Sequence, residues 1–233
     1  DTLGELGNDA FNSMVEDMHR ITDIIKEENV TLPIFLFGHS MGSFLTQRYI
    51  CLYGNELMGA ILTGTCGNQG IIVDIGRMAS KLEIIRKGRN AKSIALNKLI
   101  FGSNNKFFKP RRTIFDWLSR DNEEVDKYID DPYCGAVFTA GFFYDFLSGL
   151  KSVADVGEIK NIPSDLPIYI FGGDKDPVGK NGKGALKLVK TYEKHGVKDL
   201  VYKSYKDGRH EMLHETNKEE VIADIIKWLD AHD

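Results

Sequence analysis

The chain has 233 residues, enough for one α/β domain with an insertion and a full core. Its 42% hydrophobic and 27% charged residues are those of an ordinary globular protein, and a net charge of -4 argues against a nucleic-acid binder. Cys51, Cys66 and Cys134 are odd in number and widely spaced, which indicates neither a disulfide framework nor a zinc site, and no apolar run approaches the roughly eighteen residues of a membrane span.

The first element is an amphipathic helix over 8–29, with Phe11, Met14, Val15, Met18, Ile21 and Ile25 on one face and Asn8 or Asp9 as its cap. The run 33–37, PIFLF, is wholly apolar and suits a strand buried on both faces. It leads into Gly38-His39-Ser40-Met41-Gly42. From Met41 onward Phe44, Leu45, Arg48, Tyr49 and Leu52 recur at helical spacing, with Gly54 placed to end the helix. A G-x-S-x-G between such a strand and such a helix is a sharp turn that holds Ser40 at its tip, hydroxyl exposed, with the backbone N–H of Met41 aimed where an oxyanion develops. Ser40 is therefore the candidate nucleophile. A second strand over 57–63 completes a right-handed βαβ unit, so the sheet is parallel.

Over 68–162 the pattern changes to short helices, among them 77–87, 93–101 and 138–150, broken by polar loops and without strand alternation. That stretch reads as a helical insertion over the end of the sheet where ligands bind in this architecture. The sheet resumes over 166–171, followed by Gly172-Gly173-Asp174-Lys175-Asp176-Pro177, a helix over 181–195 that ends at Gly196, and a fourth strand over 200–205. The loop KDGRHEMLHE, 206–215, turns into the last helix. Thr216 and Glu219 start that helix as a capping box, and Ile222, Ile225, Ile226 and Leu229 form its buried face.

A serine hydroxyl is a poor nucleophile near neutral pH without an oriented base, usually a histidine held by a carboxylate. The loop after the third strand offers Asp174 and Asp176, and the loop after the fourth offers His210 and His214, all at the sheet edge that carries Ser40. His39 reads as a packing or loop-bonding residue. In FLFGHSMGS, IFGGDKDPVG and DGRHEMLHE the sequence resembles the α/β-hydrolases of the monoacylglycerol lipase and lysophospholipase group, also described as serine-aminopeptidase-like, over nearly the whole chain. The resemblance selects Asp176, through the G-x-x-D that begins at Gly173, and His210, through R-H-E. It implies an α/β fold with a mostly parallel sheet and a helical cap: core 1–67, cap 68–162, core 163–233. It further implies ester hydrolysis through Ser40, His210 and Asp176 with no cofactor and no metal, on monoacylglycerols or lysophospholipids. Small esters or peptides are the alternative substrates, and a non-catalytic lipid-binding fragment is the reading from another class.

Tyr133, Phe138, Phe142, Phe143, Tyr144 and Phe146 crowd one part of the cap, and Phe138, Phe142 and Phe143 are the candidate wall of an acyl pocket. Cap charge is lopsided. Arg77, Lys81, Arg86, Lys87, Arg89, Lys92, Lys98, Lys106, Lys109, Arg111 and Arg112 face Glu83 alone within 77–112, whereas acids dominate 113–131. Either the two halves neutralise each other, or the basic half meets an anionic bilayer as a peripheral contact of a cytoplasmic enzyme. Little sequence precedes the nucleophile strand, which leaves that strand at an open edge and the second oxyanion donor unassigned. We expect a longer polypeptide of which this is the C-terminal part, or a partner chain that supplies the segment.

Overall fold

The computed structural model describes residues 5–233. In chain order the elements are α1 (Ala10–Glu28), β1 (Phe35–His39), α2 (Met41–Tyr53), β2 (Gly59–Thr63), α3 (Ile71–Lys87), α4 (Ile94–Phe101), α5 (Asn122–Asp130), α6 (Ala140–Ser152), α7 (Val156–Ile159), β3 (Ile168–Gly173), α8 (Lys183–Lys194), β4 (Leu200–Tyr205) and α9 (Lys218–Asp230). The four strands are parallel and lie in sequence order, with Phe37 opposite Ile61, Ile61 opposite Tyr169 and Phe171 opposite Lys203.

Strand periodicity divides the core. Ala60, Leu62, Ile168 and Ile170 point to one face, where Phe11 and Val15 of α1, Phe44 and Tyr49 of α2, Leu188 and Tyr192 of α8 and the phenylalanines of α6 pack on them. Ile61, Tyr169, Phe171 and Tyr205 point to the other, under Val221 and Trp228 of α9. A Cβ on Gly59 would meet the Trp228 ring at 2.7 Å, so the indole crosses β2 where only glycine fits.

Several expectations change. β1 is not buried on both faces: Phe37 is 38% exposed, and no strand among the described residues pairs with the outer edge of β1. α1 buries Phe11 and Val15 but leaves Ile21 and Ile25 exposed. Neither Asn8 nor Asp9 caps it through a side chain; the Ala10 N–H donates to Asp145 Oδ2 of α6 at 2.9 Å, a tertiary cap. α2 does end at Gly54, but that residue is right-handed, at φ -58°, and begins a further tight turn; its small size admits Pro163, whose Cδ would lie 2.7 Å from a Cβ there. The capping box does not form, since α9 starts at Lys218 and the Thr216 N–H is taken by Glu215. The buried face of α9 is rotated to Val221 and Trp228, with Ile225 and Leu229 beside them and Ile222 and Ile226 exposed.

Between β2 and β3 the chain forms α3 to α7 and no named strand. The last four of these helices begin on capping side chains: Ser93 accepts from Leu96 N–H, Asp121 from Glu123 and Glu124, Thr139 from Phe142 and Asp155 from Gly157. Of the two readings of cap charge, the structure gives little pairing between the halves: Arg112 with Asp126 at 2.6 Å. Lys81, Arg86, Lys92, Lys98, Lys106, Lys109 and Arg111 form no salt bridge among the described residues. No helix of the described residues is long and apolar enough to cross a membrane. All three cysteines are free; Cys51 and Cys66 are buried and Cys134 is half-buried.

Candidate active site

β1 ends at His39 and α2 begins at Met41, so a single residue makes the turn. Ser40 takes it at φ 52° and ψ -120°, a conformation that L residues rarely adopt. Its N–H donates to the Thr63 carbonyl at 3.0 Å, which pins the turn to the end of β2. Gly38 permits the reversal, because a Cβ there would lie 2.4 Å from Thr46 Oγ1 and 2.6 Å from the Gly42 carbonyl. Met41 opens α2, and its N–H lies in the first turn, where no helical carbonyl precedes it.

The two loops beyond β3 and β4 converge on this turn. His210, 2% exposed, has Nε2 at 2.9 Å from Ser40 Oγ and Nδ1 at 2.9 Å from Asp176 Oδ1. The same Asp176 oxygen accepts the Val178 N–H at 2.9 Å, which fixes the carboxylate in its own loop. The three side chains selected by motif are thus in bonding contact in the order hydroxyl, imidazole, carboxylate. Asp174 instead accepts the Asp207 N–H at 2.8 Å and ties one loop to the other. His214 is exposed and bonds Glu124 of α5 at 3.1 Å. Lys127 first, and His214 after it, hold the Glu124 carboxyl down at about 2. His39 donates from Nε2 to the His210 carbonyl at 3.3 Å. Burial, then the neighbouring His210, push the His39 imidazole down to about 4, so it is neutral near pH 7.

The surroundings include residues that no motif indicated. The Trp117 ring lies 4.9 Å from the His210 ring, and its carbonyl accepts the His210 N–H at 3.3 Å. Gly64, at φ 60°, leaves room for the imidazole: a Cβ would sit 2.7 Å from His210 Cε1. A cavity of about 190 Å³ opens beside His39, lined by Phe37, Thr63, Glu211, Met212, Leu213 and His214. Burial raises the Glu211 carboxyl above the usual range. Of the expected acyl-pocket wall, Phe142 and Phe143 are instead buried in the core, Phe142 stacked on Phe146 and Phe143 against Phe101. Phe138 is half-buried, stacked on Phe142 at 4.2 Å. His19, Asp23 and Glu56 bring ligand atoms within 4.8 Å of one another, but the Lys26 ammonium already supplies the positive charge at Glu56, 2.9 Å away.

A hydroxyl bonded to a buried imidazole, itself bonded to a carboxylate, at the tip of a strand–turn–helix can give up its proton as it attacks a carbonyl. Residues 4–217 match the family described as serine aminopeptidase, S33. The chain belongs to this family. Its sequence is 24% identical over 235 residues to a monoacylglycerol lipase of Mycolicibacterium smegmatis, across 95% of this chain and 71% of that protein. It is 27% identical over 212 residues to the monoglyceride lipase of Saccharomyces cerevisiae, across 86% of this chain and 61% of the relative. Among solved structures, a thermostable carboxyl esterase from Bacillus coagulans in complex with glycerol superposes with a TM-score of 0.86 at 26% identity, over 95% of this chain and 72% of that one. A soluble variant of the yeast monoglyceride lipase superposes with a TM-score of 0.70 at 19% identity, which supports the fold alone. The family and these neighbours make the architecture that of the α/β-hydrolases, with the parallel sheet and flanking helices described above.

Proposed function

We propose that this α/β-hydrolase is a carboxylic ester hydrolase working through Ser40, His210 and Asp176. The hydrogen-bonded chain from Ser40 Oγ through His210 to Asp176 Oδ1, two contacts of 2.9 Å each, carries the proposal. Ser40 Oγ attacks the ester carbonyl as His210 Nε2 takes its proton, and the N–H of Met41 receives the developing oxyanion. His210 returns the proton to the leaving alcohol. Water, deprotonated by the same imidazole, then releases the acid from the acyl-enzyme, while Asp176 holds the ring in the tautomer both steps need.

For the substrate, the names of the relatives favour a monoacylglycerol; lysophospholipids, which no relative's name mentions, are the next class to compare. The family's own description keeps small peptides on the panel of compounds to be compared. Residues 68–162 act as the cap over the core formed by 1–67 and 163–233, with Phe138, the accessible one of the three aromatic candidates, at the acyl chain. Contact of the cap with a lipid surface is supported by α3, where Ile71, Ile75, Met78, Leu82 and Ile85 recur at three- and four-residue steps and are all exposed.

Activity on p-nitrophenyl esters and labelling of Ser40 by a fluorophosphonate test the mechanism directly. Ser40→Ala is expected to abolish labelling and lower turnover by a factor on the order of 10⁴ to 10⁶. Unchanged hydrolysis by the alanine variant refutes the assignment.

A further inference from the structure

Glu215 is 0% exposed and lies five residues beyond His210, with no contact to Ser40 or Asp176. Its two oxygens accept four N–H groups. Oε1 takes the Arg209 backbone at 2.9 Å and the Arg120 backbone at 3.2 Å; Oε2 takes Arg120 Nε at 2.8 Å and the Thr216 backbone at 3.0 Å. Arg120 belongs to a loop of the insertion and Arg209 to the loop that carries His210. One carboxylate therefore joins two segments about ninety residues apart in sequence, and further bonds run along the same seam. The His210 N–H donates to Trp117 O at 3.3 Å, Glu211 N–H to Leu118 O at 2.8 Å, Ser119 Oγ to His214 O at 2.7 Å and Arg209 Nη1 to Ser119 O at 2.8 Å.

We infer that Glu215 is a positioning residue for His210, acting with Arg120 to fix the loop of the base against the 116–120 segment of the cap. The inference rests on the proposed role of His210. The physical argument is one of bracketing. Glu215 itself holds the N–H of Arg209, the residue before His210, while the N–H groups of His210 and Glu211 go to Trp117 and Leu118, whose segment Glu215 anchors through Arg120. Both bonds of the imidazole are near 2.9 Å, and a shift of about an ångström in such a ring lowers turnover by a factor of up to about a hundred. Only a carboxylate offers acceptors on both oxygens to four donors; an amide of the same shape turns a donor toward two of them.

The test follows fluorophosphonate labelling of Ser40 by intact mass in wild type, Glu215→Gln and Arg120→Ala, with Ser40→Ala as the blank, alongside kcat and KM on p-nitrophenyl butyrate. The expected result is a labelling rate constant lower by about tenfold or more in Glu215→Gln and by several-fold in Arg120→Ala. The final stoichiometry stays at the wild-type value, and kcat falls while KM stays within about twofold. A purely structural role would lower the fraction of chains that label and leave the rate constant of the rest unchanged, and that result overturns the inference. Wild-type rate constants in both variants overturn it as well. Should Glu215→Gln fail to fold, Arg120→Ala decides by the same criteria, since the Arg120 side chain is partly exposed. A wild-type chain that does not label removes the Ser40 assignment and this inference together, whereas normal labelling in wild type and variants alike removes the Glu215 role alone.

Discussion

Ser40 is held at φ 52°, a backbone conformation that costs about 1–3 kcal/mol in a non-glycine residue and persists only where neighbours enforce it. The bond from its N–H to Thr63 and the close approach of α2 over Gly38 do so. The two aspartates of the next loop separate cleanly by what they touch. Asp176→Asn is expected to turn the wrong face of the imidazole to Ser40 and lower kcat on a p-nitrophenyl ester by about 10³ to 10⁴, whereas Asp174→Asn, whose amide oxygen still accepts the Asp207 N–H, keeps the parental rate. Equal losses in both variants contradict the assignment. His39 gives a pH signature. Its imidazole titrates at about 4 in the fold against 6.5 when unperturbed, so between those values the unfolded chain binds more protons and stability rises with pH. Acidification from 6.5 toward 4 removes that contribution. In His39→Gln, which does not titrate, melting temperature is expected to fall less steeply across this window than in wild type; parallel curves exclude the effect. At this scale the contact of Ser40 and Asp176 with His210 was legible because each sits in a short motif after a strand. Trp117 was not, since it comes from a loop between α4 and α5 ninety-odd residues away and no local pattern links it to His210. Phe142 and Phe143 were read as a pocket wall because aromatic density is the same in a wall and in a core; what the sequence does not carry is that both are buried, Phe142 against Phe146 and Phe143 against Phe101.

Among the elements, β4 follows its expected bounds, while α3 begins at Ile71 rather than at 77. The reason is physical. Val73, Gly76 and Ser80 are buried on one side of α3 while Ile71, Ile75, Met78, Leu82 and Ile85 are exposed on the other, so small residues face the core, large apolar ones face out, and the pattern that marks a helix start is lost. α5 escaped notice for the opposite cause, as Val125 alone is buried in a polar run. The exposed face of α3 also has a measurable consequence. Lys81 and Arg86 lie on α3 and form no salt bridge among the described residues, and on the proposed membrane contact each would contribute about 1 kcal/mol near an anionic leaflet. Cosedimentation with phosphatidylcholine vesicles is expected to increase when phosphatidylserine is added, to weaken with salt, and to drop in a Leu82→Glu, Ile85→Glu double variant. Binding indifferent to lipid charge and to both substitutions rules the contact out.

For the molecule as a whole, the parallel order of strands and the helical insertion followed from apolar runs separated by helical periods, because each βαβ crossover has one favoured hand. What the pattern could not convey is how the insertion is fastened. Apolar periodicity reports which side of an element is buried, not which distant loop it is bonded to, and the seam between 116–120 and 209–215 is made almost wholly of main-chain and charged groups. That seam limits how the enzyme can breathe. On the proposed reading, parting 116–120 from 209–215 would break the bonds that hold the backbone on either side of His210, so an opening of the insertion that leaves the base in place would have to spare this seam.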